Sequence, residues 1–314
     1  MGKMEKKYVV LFAITVLLFF SLQGAAIEGK AVVFEHEEQS FVKEEMEWRV
    51  QRDKQMRSPT SWLTVAGLFW LEEKENGFGT ALTNKIILPS GSAPPFAGKF
   101  IFKEGKIKVL GNEGVTLKVD GEEIKEMVLR GDDEKRVDVL ELGELRMWVI
   151  KRGERYAIRL RNLNAAAYKD YKGLELFPPL EKFKIEAILI PFAAPKNITV
   201  ATAIGTETEM KSPGYVKFVI DGKEFRLDAF AMDDQNRKLF FIFKDDTNGD
   251  ESYGAGRFMV SDVLENEKVD LNFNRAYNPP CAYTPYATCP LAPPQNWLNI
   301  RIEAGEKKYK GGHH

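Results

Sequence analysis

Pairs of turn-forming residues recur along most of this chain, and the short runs between them are β-branched and aromatic. The turns include Asn76-Gly77, Glu104-Gly105, Asp120-Gly121, Arg152-Gly153, Asp221-Gly222 and Asn248-Gly249, with Pro89-Ser90-Gly91 as a longer break. Asn-Gly and Asp-Gly steps accept the positive φ angles of a two-residue hairpin loop, so this punctuation calls for antiparallel strands. Candidate strands of a first group are Phe100–Phe102, Ile107–Leu110, Leu145–Ile150 and Tyr156–Leu160. A second group comprises Lys184–Ile190, Tyr215–Ile220, Phe225–Phe230, Leu239–Phe243, Arg257–Val260 and Leu298–Ile302. The runs Leu239–Phe243 and Arg257–Val260 flank an acidic turn and are expected to pair antiparallel. Helical periodicity is confined to the segment before Thr64, where Val42 to Met56 is expected to be a helix ending near Ser58-Pro59. The expected fold is all-β: two consecutive antiparallel sandwich or barrel units, at 61–163 and 164–303, with one N-terminal helix in the segment 27–60. The strand rhythm breaks between them at Asn162 to Ala167, and 304–314 reads as a tail.

The first 26 residues read as a targeting segment. Lys3, Lys6 and Lys7 precede an uncharged, largely apolar run from Tyr8 to Leu22, and Gly24-Ala25-Ala26 supplies small residues for cleavage. The alternative is an uncleaved membrane anchor, although the run falls short of the roughly 20 residues that span a bilayer. Either way the expected location is extracytoplasmic, secreted or in the cell envelope. Removing this segment moves the formal charge from −1 to about −3, which implies no basic face and argues against nucleic acid as a partner.

Both cysteines, Cys281 and Cys289, sit in Asn272–Asn296, a stretch crowded with proline and tyrosine. Proline at that density forbids a helix or an inner strand, so the segment reads as a rigid ordered loop, where function tends to sit. Outside the cytoplasm, two cysteines eight positions apart are expected to form a disulfide; two buried thiols packing as small hydrophobes are the alternative. No further ligand accompanies them, so neither zinc nor any other cofactor is expected.

Two resemblances follow from longer motifs. Gly77-Phe78-Gly79, Asn84 to Pro89, Val119-Asp120-Gly121-Glu122 and Leu142-Gly143-Glu144-Leu145 give residues 63–161 a layout similar to a forkhead-associated β-sandwich. The Arg and Ser-x-x-His positions that bind phosphothreonine in that family are missing here, so phosphopeptide binding does not transfer. Ser61 to Leu71, Lys172-Gly173-Leu174-Glu175, Leu239 to Asp245, Tyr253 to Phe258, Phe273 to Cys281 and Pro285 to Pro290 resemble the prokaryotic domain of unknown function 1684 family. That resemblance implies kinship and no particular reaction.

Histidine is confined to His36, His313 and His314, which argues against a Ser–His–Asp triad or a His-ligated metal. The acidic turn Lys244 to Glu251 lacks calcium-loop spacing and reads as a solvated hairpin turn. Tyr253-Gly254-Ala255-Gly256-Arg257 offers either an arginine held for an anion or a β-bulge with Arg257 in a structural pair to Asp245. Arg257, Asn274, Arg275, Tyr277, Asn278, Tyr283 and Tyr286 are the candidate ligand-binding residues, because tyrosine rings beside Asn and Arg suit a small polar or carbohydrate-like ligand. The bland alternative is a loop that merely plugs one end of a β unit. An enzymatic alternative is a hydrolase or lyase with Glu175, Asp245, Tyr253 or Tyr277 as proton-transfer groups. A third possibility is a purely structural envelope protein.

Overall fold

A computed structural model describes residues 39–311; the targeting segment, His36, His313 and His314 lie outside the described residues. The chain divides at Val50 into a small N-terminal unit and a large unit beginning at Gln51. The described residues of the first unit are helical, and the same helix runs on to residue 56 in the second. It stops where the sequence requires, just before Ser58-Pro59, with the Arg57 amide donating to the Asp53 carbonyl at 3.0 Å. No helix among the described residues is long and apolar enough to cross a membrane.

The body is all-β and almost wholly antiparallel. In the first β unit a six-stranded sheet runs in the order Val65–Trp70, Arg155–Asn162, Leu145–Arg152, Leu140–Leu142, Leu117–Val119 and Glu122–Ile124. It faces a five-stranded sheet built from Ile86–Ile87, Lys74–Gly79, Gly98–Lys103, Lys106–Gly111 and Glu126–Leu129. The two-residue strand Ile86–Ile87 pairs parallel to Phe78 and Gly79, a short exception to the antiparallel rule. Between the sheets, Phe78, Phe100, Val109, Leu140, Leu145, Met147, Ile158 and Leu160 form a buried core. Each fully buried Phe or Leu contributes about 1.5–3 kcal/mol.

The second β unit is one six-stranded sheet curled towards closure. Its order is Arg257–Asp262, Lys238–Phe243, Lys223–Ala231, Glu207–Ile220, Lys184–Ala201 and Lys268–Asn272. A bridge from Val263 to Val269 draws its ends together, as in a barrel. Along Glu207–Ile220, buried Val216, Phe218 and Ile220 alternate with exposed Lys217 and Val219, so one face fills the interior with Phe241, Phe243, Leu271 and Phe273. The expected hairpin is present: Leu239–Phe243 pairs antiparallel with Arg257–Ser261, and Phe243 lies opposite Arg257.

Glu104-Gly105, Asp120-Gly121 and Asp221-Gly222 are two-residue loops with positive φ at both positions, as the sequence predicts. Two expectations fail. Asn76-Gly77 is no turn but lies inside Lys74–Gly79, because the buried Asn76 amide is spent on a neighbouring loop: its Nδ2 donates to the Glu72 carbonyl at 2.8 Å and its Oδ1 accepts from the Glu72 amide at 3.0 Å. Leu298–Ile302 forms no strand. Its backbone runs beside the 244–246 segment, and its polar groups are drawn off by side chains, the Ile302 carbonyl by Arg257 and the Ile302 amide by Asp245.

Candidate functional site

The Tyr253–Arg257 motif resolves into its structural alternative. Gly256 has φ +102°, and a Cβ there would lie 2.5 Å from the Phe243 carbonyl oxygen, so only glycine lets the chain enter the strand Arg257–Asp262 at this point. Arg257 then points into the barrel. Its side chain has no exposed surface, and its Nη2 donates to Asp245 Oδ2 at 2.6 Å and to the Ile302 carbonyl at 2.9 Å, while Nη1 donates to the Ala304 carbonyl. Asp245 also accepts from the Thr247 amide at 2.8 Å. This knot ties the acidic turn and the C-terminal segment to the barrel, and the unpartnered Nε is sealed with the rest of the side chain away from any ligand.

The rigid loop is held by a second buried charge pair, one the sequence does not advertise. Glu306 has no exposed surface, and its Oε1 accepts from Arg52 Nε at 2.7 Å. Its Oε2 accepts from the Asn278 amide at 2.7 Å and from the Tyr283 hydroxyl at 2.9 Å. Gly305, with φ +75°, makes the turn that brings Glu306 under the loop, since a Cβ there would meet the Ala276 carbonyl at 2.4 Å. Burial disfavours the Arg52 charge, but Glu306 and then Tyr283 more than offset it and hold the guanidinium above its ordinary value. Burial likewise pushes the Tyr277 hydroxyl up to about 12, and Arg52 lies over its ring at 5.0 Å.

In place of the expected disulfide, Cys281 and Cys289 are free thiols. The eight-residue spacing does bring them together, and the Cys281 amide donates to Cys289 Sγ at 3.2 Å. The Cys289 thiol as hydrogen-bond partner draws the Cys281 thiol below its ordinary value against the effect of burial, with help from the Tyr253 hydroxyl. The link therefore operates through hydrogen bonding and burial of the pair beside Ala287 and Phe258.

On the outer edge of this loop lies an open cleft of about 450 Å³. Tyr283, Thr284, Pro285 and Tyr286 form one wall; Leu63, Val65 and Ala66 from the start of the first β unit, and Ala165–Ala167 with Asp170, form the others. The Thr284 hydroxyl pins the loop to the sandwich by donating to the Val65 carbonyl at 3.0 Å. Tyr309 stands beside Tyr283 with ring centroids 5.1 Å apart, and Tyr171, whose hydroxyl donates to Asp53 at 2.9 Å, backs Tyr309. Tyr286 is the exposed ring at the mouth, 38% accessible. A neighbouring cleft of about 410 Å³ shares Asp170, Tyr309 and Gly311 with the first and adds Lys172, Lys307, Lys308 and Lys310.

The residues expected to converge are thus divided. Tyr283 and Tyr286 line the open cleft. Asn278 and Tyr277 stand behind it in the Glu306–Arg52 network. Asn274 is buried and bonded to both backbone groups of Leu180 at 2.9 Å, and Arg275 is half-buried at the end of the turn Phe273–Arg275. Tyr253 donates to the Cys281 carbonyl at 3.2 Å. Glu175 sits on the rim of the lysine-lined cleft, 2.5 Å from Lys310. Asp245 and Arg257 are sealed in the barrel. Glu306, Arg52, Tyr171, Tyr309 and Asp170 were not legible as site residues; the sole signal was the Ala304-Gly305-Glu306 turn inside a segment read as a tail. Among the described residues, no group of three His, Cys, Asp or Glu side chains is placed to hold a metal ion.

Fold and site together define an all-β protein whose proline-stiffened loop borders an aromatic cleft. Residues 169–307 match the family described as "Protein of unknown function (DUF1684)", and the chain belongs to that family. An uncharacterized protein of Haloarcula marismortui, solved by solution NMR, is 34% identical and covers 44% of this chain and 78% of its own, with a TM-score of 0.38. The FHA-2 domain of a Mycobacterium tuberculosis ABC transporter is 19% identical, covering 28% of this chain and 77% of its own with a TM-score of 0.23. An FHA domain solved for its phosphothreonine-dependent interactions is 15% identical, covering 30% and 92% with a TM-score of 0.22. No curated protein matches the chain.

Proposed function

We propose that this is an exported protein that binds a small polar, carbohydrate-like ligand in the cleft between Tyr283–Tyr286 and Ala165–Asp170. One observation carries the reading: the loop that walls the cleft is anchored from behind by buried Tyr283, whose hydroxyl donates to Glu306 and accepts from Arg52, so the exposed Tyr286 ring is carried on a preorganised support. Tyr286 supplies the accessible ring, and Thr284 and Asp170 add hydrogen-bonding groups. A ring for stacking beside a few oxygen atoms is what a sugar face and its hydroxyls require. The hydrolase or lyase alternative draws less support, since Glu175, Asp245, Tyr253 and Tyr277 lie at four different places. Export rests on the basic start and apolar run of residues 1–26.

The test is thermal shift against a panel of mono- and oligosaccharides at millimolar concentration, because binding to the folded state raises apparent stability. A saccharide should raise the melting temperature of the parent and leave that of Tyr286→Ala unmoved. A panel without any shift contradicts the proposal. For export, fractionation of cells expressing the full chain should place it outside the cytoplasm.

A further inference from the structure

The outer face of the first six-stranded sheet carries an arrangement that the cleft does not use. Arg146, Trp148 and Arg152 on one strand lie opposite Arg161, Arg159 and Arg155 on the next, so three cross-strand positions set cation against cation or cation against indole. Like charges directly opposite each other destabilise a sheet pair. Two of these arginines are neutralised: Arg152 by Asp132 at 2.8 Å, and Arg146 by Glu141 at 3.1 Å. The other three have indole partners instead, with Arg155 3.9 Å from the Trp70 ring, Arg159 5.2 Å from Trp62 and Arg161 4.8 Å from Trp148.

Arg161 shares a cavity with Arg146. A hollow of about 580 Å³ is walled by Val137, Val139, Trp148 and Leu163, with Arg146 and Arg161 at its polar side. Arg146 is spent there, since beyond Glu141 it donates to the Gly143 carbonyl at 2.7 Å and the Leu145 carbonyl at 2.9 Å. Arg161 is not. Its Nε is buried without a hydrogen-bond partner, and among the described residues no carboxylate pairs with it. Burial alone lowers its pKa, as expected of a cation removed from water without a counter-charge. The cation–π contact recovers only about 0.5–2 kcal/mol of such a cost.

We propose that this hollow is a second binding site, for a small monocarboxylate with an apolar or aromatic body. One free guanidinium edge matches one carboxylate, which accepts two parallel hydrogen bonds from it. Apart from Thr60, whose hydroxyl is bonded to that of Ser58, the remaining walls are aliphatic, proline and indole carbon, suited to the body of such an acid and poorly suited to phosphate, which seeks several donors at once. The site shares no lining residue with the tyrosine cleft, so the two proposals stand or fall separately.

The experiment titrates the full chain with 3-phenylpropionate, its neutral analogue 3-phenylpropanol and inorganic phosphate, reading melting temperature and heat of binding. The carboxylate should bind, and the alcohol should bind about tenfold or more weakly, the loss expected when a charge-assisted hydrogen bond is removed. Phosphate should give no shift. Arg161→Met keeps the stem and removes the fork, and should weaken the carboxylate by a similar factor. Val139→Trp, at a partly exposed loop position, fills the hollow while Arg161 itself is kept and should also abolish binding, which keeps the proposal testable if the first variant folds poorly. No carboxylate binding at millimolar concentration, equal binding of the alcohol or of phosphate, or unaltered binding in a folded variant would each overturn it.

Discussion

The Asp245–Arg257 knot and the Tyr283–Tyr286 edge belong to neighbouring motifs in the chain, yet they occupy opposite states in the fold. In the first, guanidinium, carboxylate and two carbonyls close on one another with no exposed side-chain surface. In the second, one tyrosine is anchored through its hydroxyl and the other stands at the mouth of an open cleft. Both contain residue types that bind ligands. What separates them is whether their hydrogen-bonding capacity is already spent within the fold, and that is a property of the partners and not of the residue.

The contrast is broken most forcefully at the knot. Arg257→Ala strands the Asp245 carboxylate in the barrel and should cost about 3–5 kcal/mol, read as a large fall in melting temperature or a lower denaturant midpoint. A variant within 1 kcal/mol of the parent (roughly the effect of an ordinary surface change) would place Arg257 outside the structural role argued here. Next comes Glu306→Gln. The amide keeps an acceptor for Tyr283 but leaves the Arg52 charge uncompensated, so roughly 2–3 kcal/mol of stability should be lost. Arg52 has 15% of its side chain exposed, and water there keeps the loss below that at Arg257.

A third comparison sets the two thiols against each other. Cys281 is held below an ordinary thiol and Cys289 above it, the latter first because it gives its hydrogen bond to Cys281. As pH rises, Cys281 therefore loses its proton first, and the thiolate is the reactive form. Limited alkylation followed by peptide mapping should label Cys281 well ahead of Cys289, with the difference shrinking in Tyr253→Phe. Equal labelling would remove the asymmetry.

Much of the scaffold was legible because hairpin chemistry is local. The Asp120-Gly121 and Asp221-Gly222 loops need only their own φ angles, and the strands on either side follow. Asn76-Gly77 has the same letters and fails, since the Asn76 side chain finds a better use capping the 72–74 turn. The site was less legible for the same kind of reason. Glu306 lies 254 positions from Arg52 and looks like any exposed glutamate until Gly305 turns it inward. The arginine–tryptophan face was equally hidden, because its members come from different strands and only the register of Leu145–Arg152 against Arg155–Asn162 sets them together. The Arg257 motif was readable as two alternatives, and the sequence held nothing to choose between them.

The central claim is that the loop is rigid for the sake of the cleft it borders, and the most direct measurement is made on Tyr286→Ala. Tyr286 is exposed and its ring contributes little to the core, so the variant should melt within about 0.5 kcal/mol of the parent. The saccharide response expected of the parent should disappear in this stable variant. A variant that still binds with the parent's affinity, or one that loses as much stability as Arg257→Ala, would contradict it.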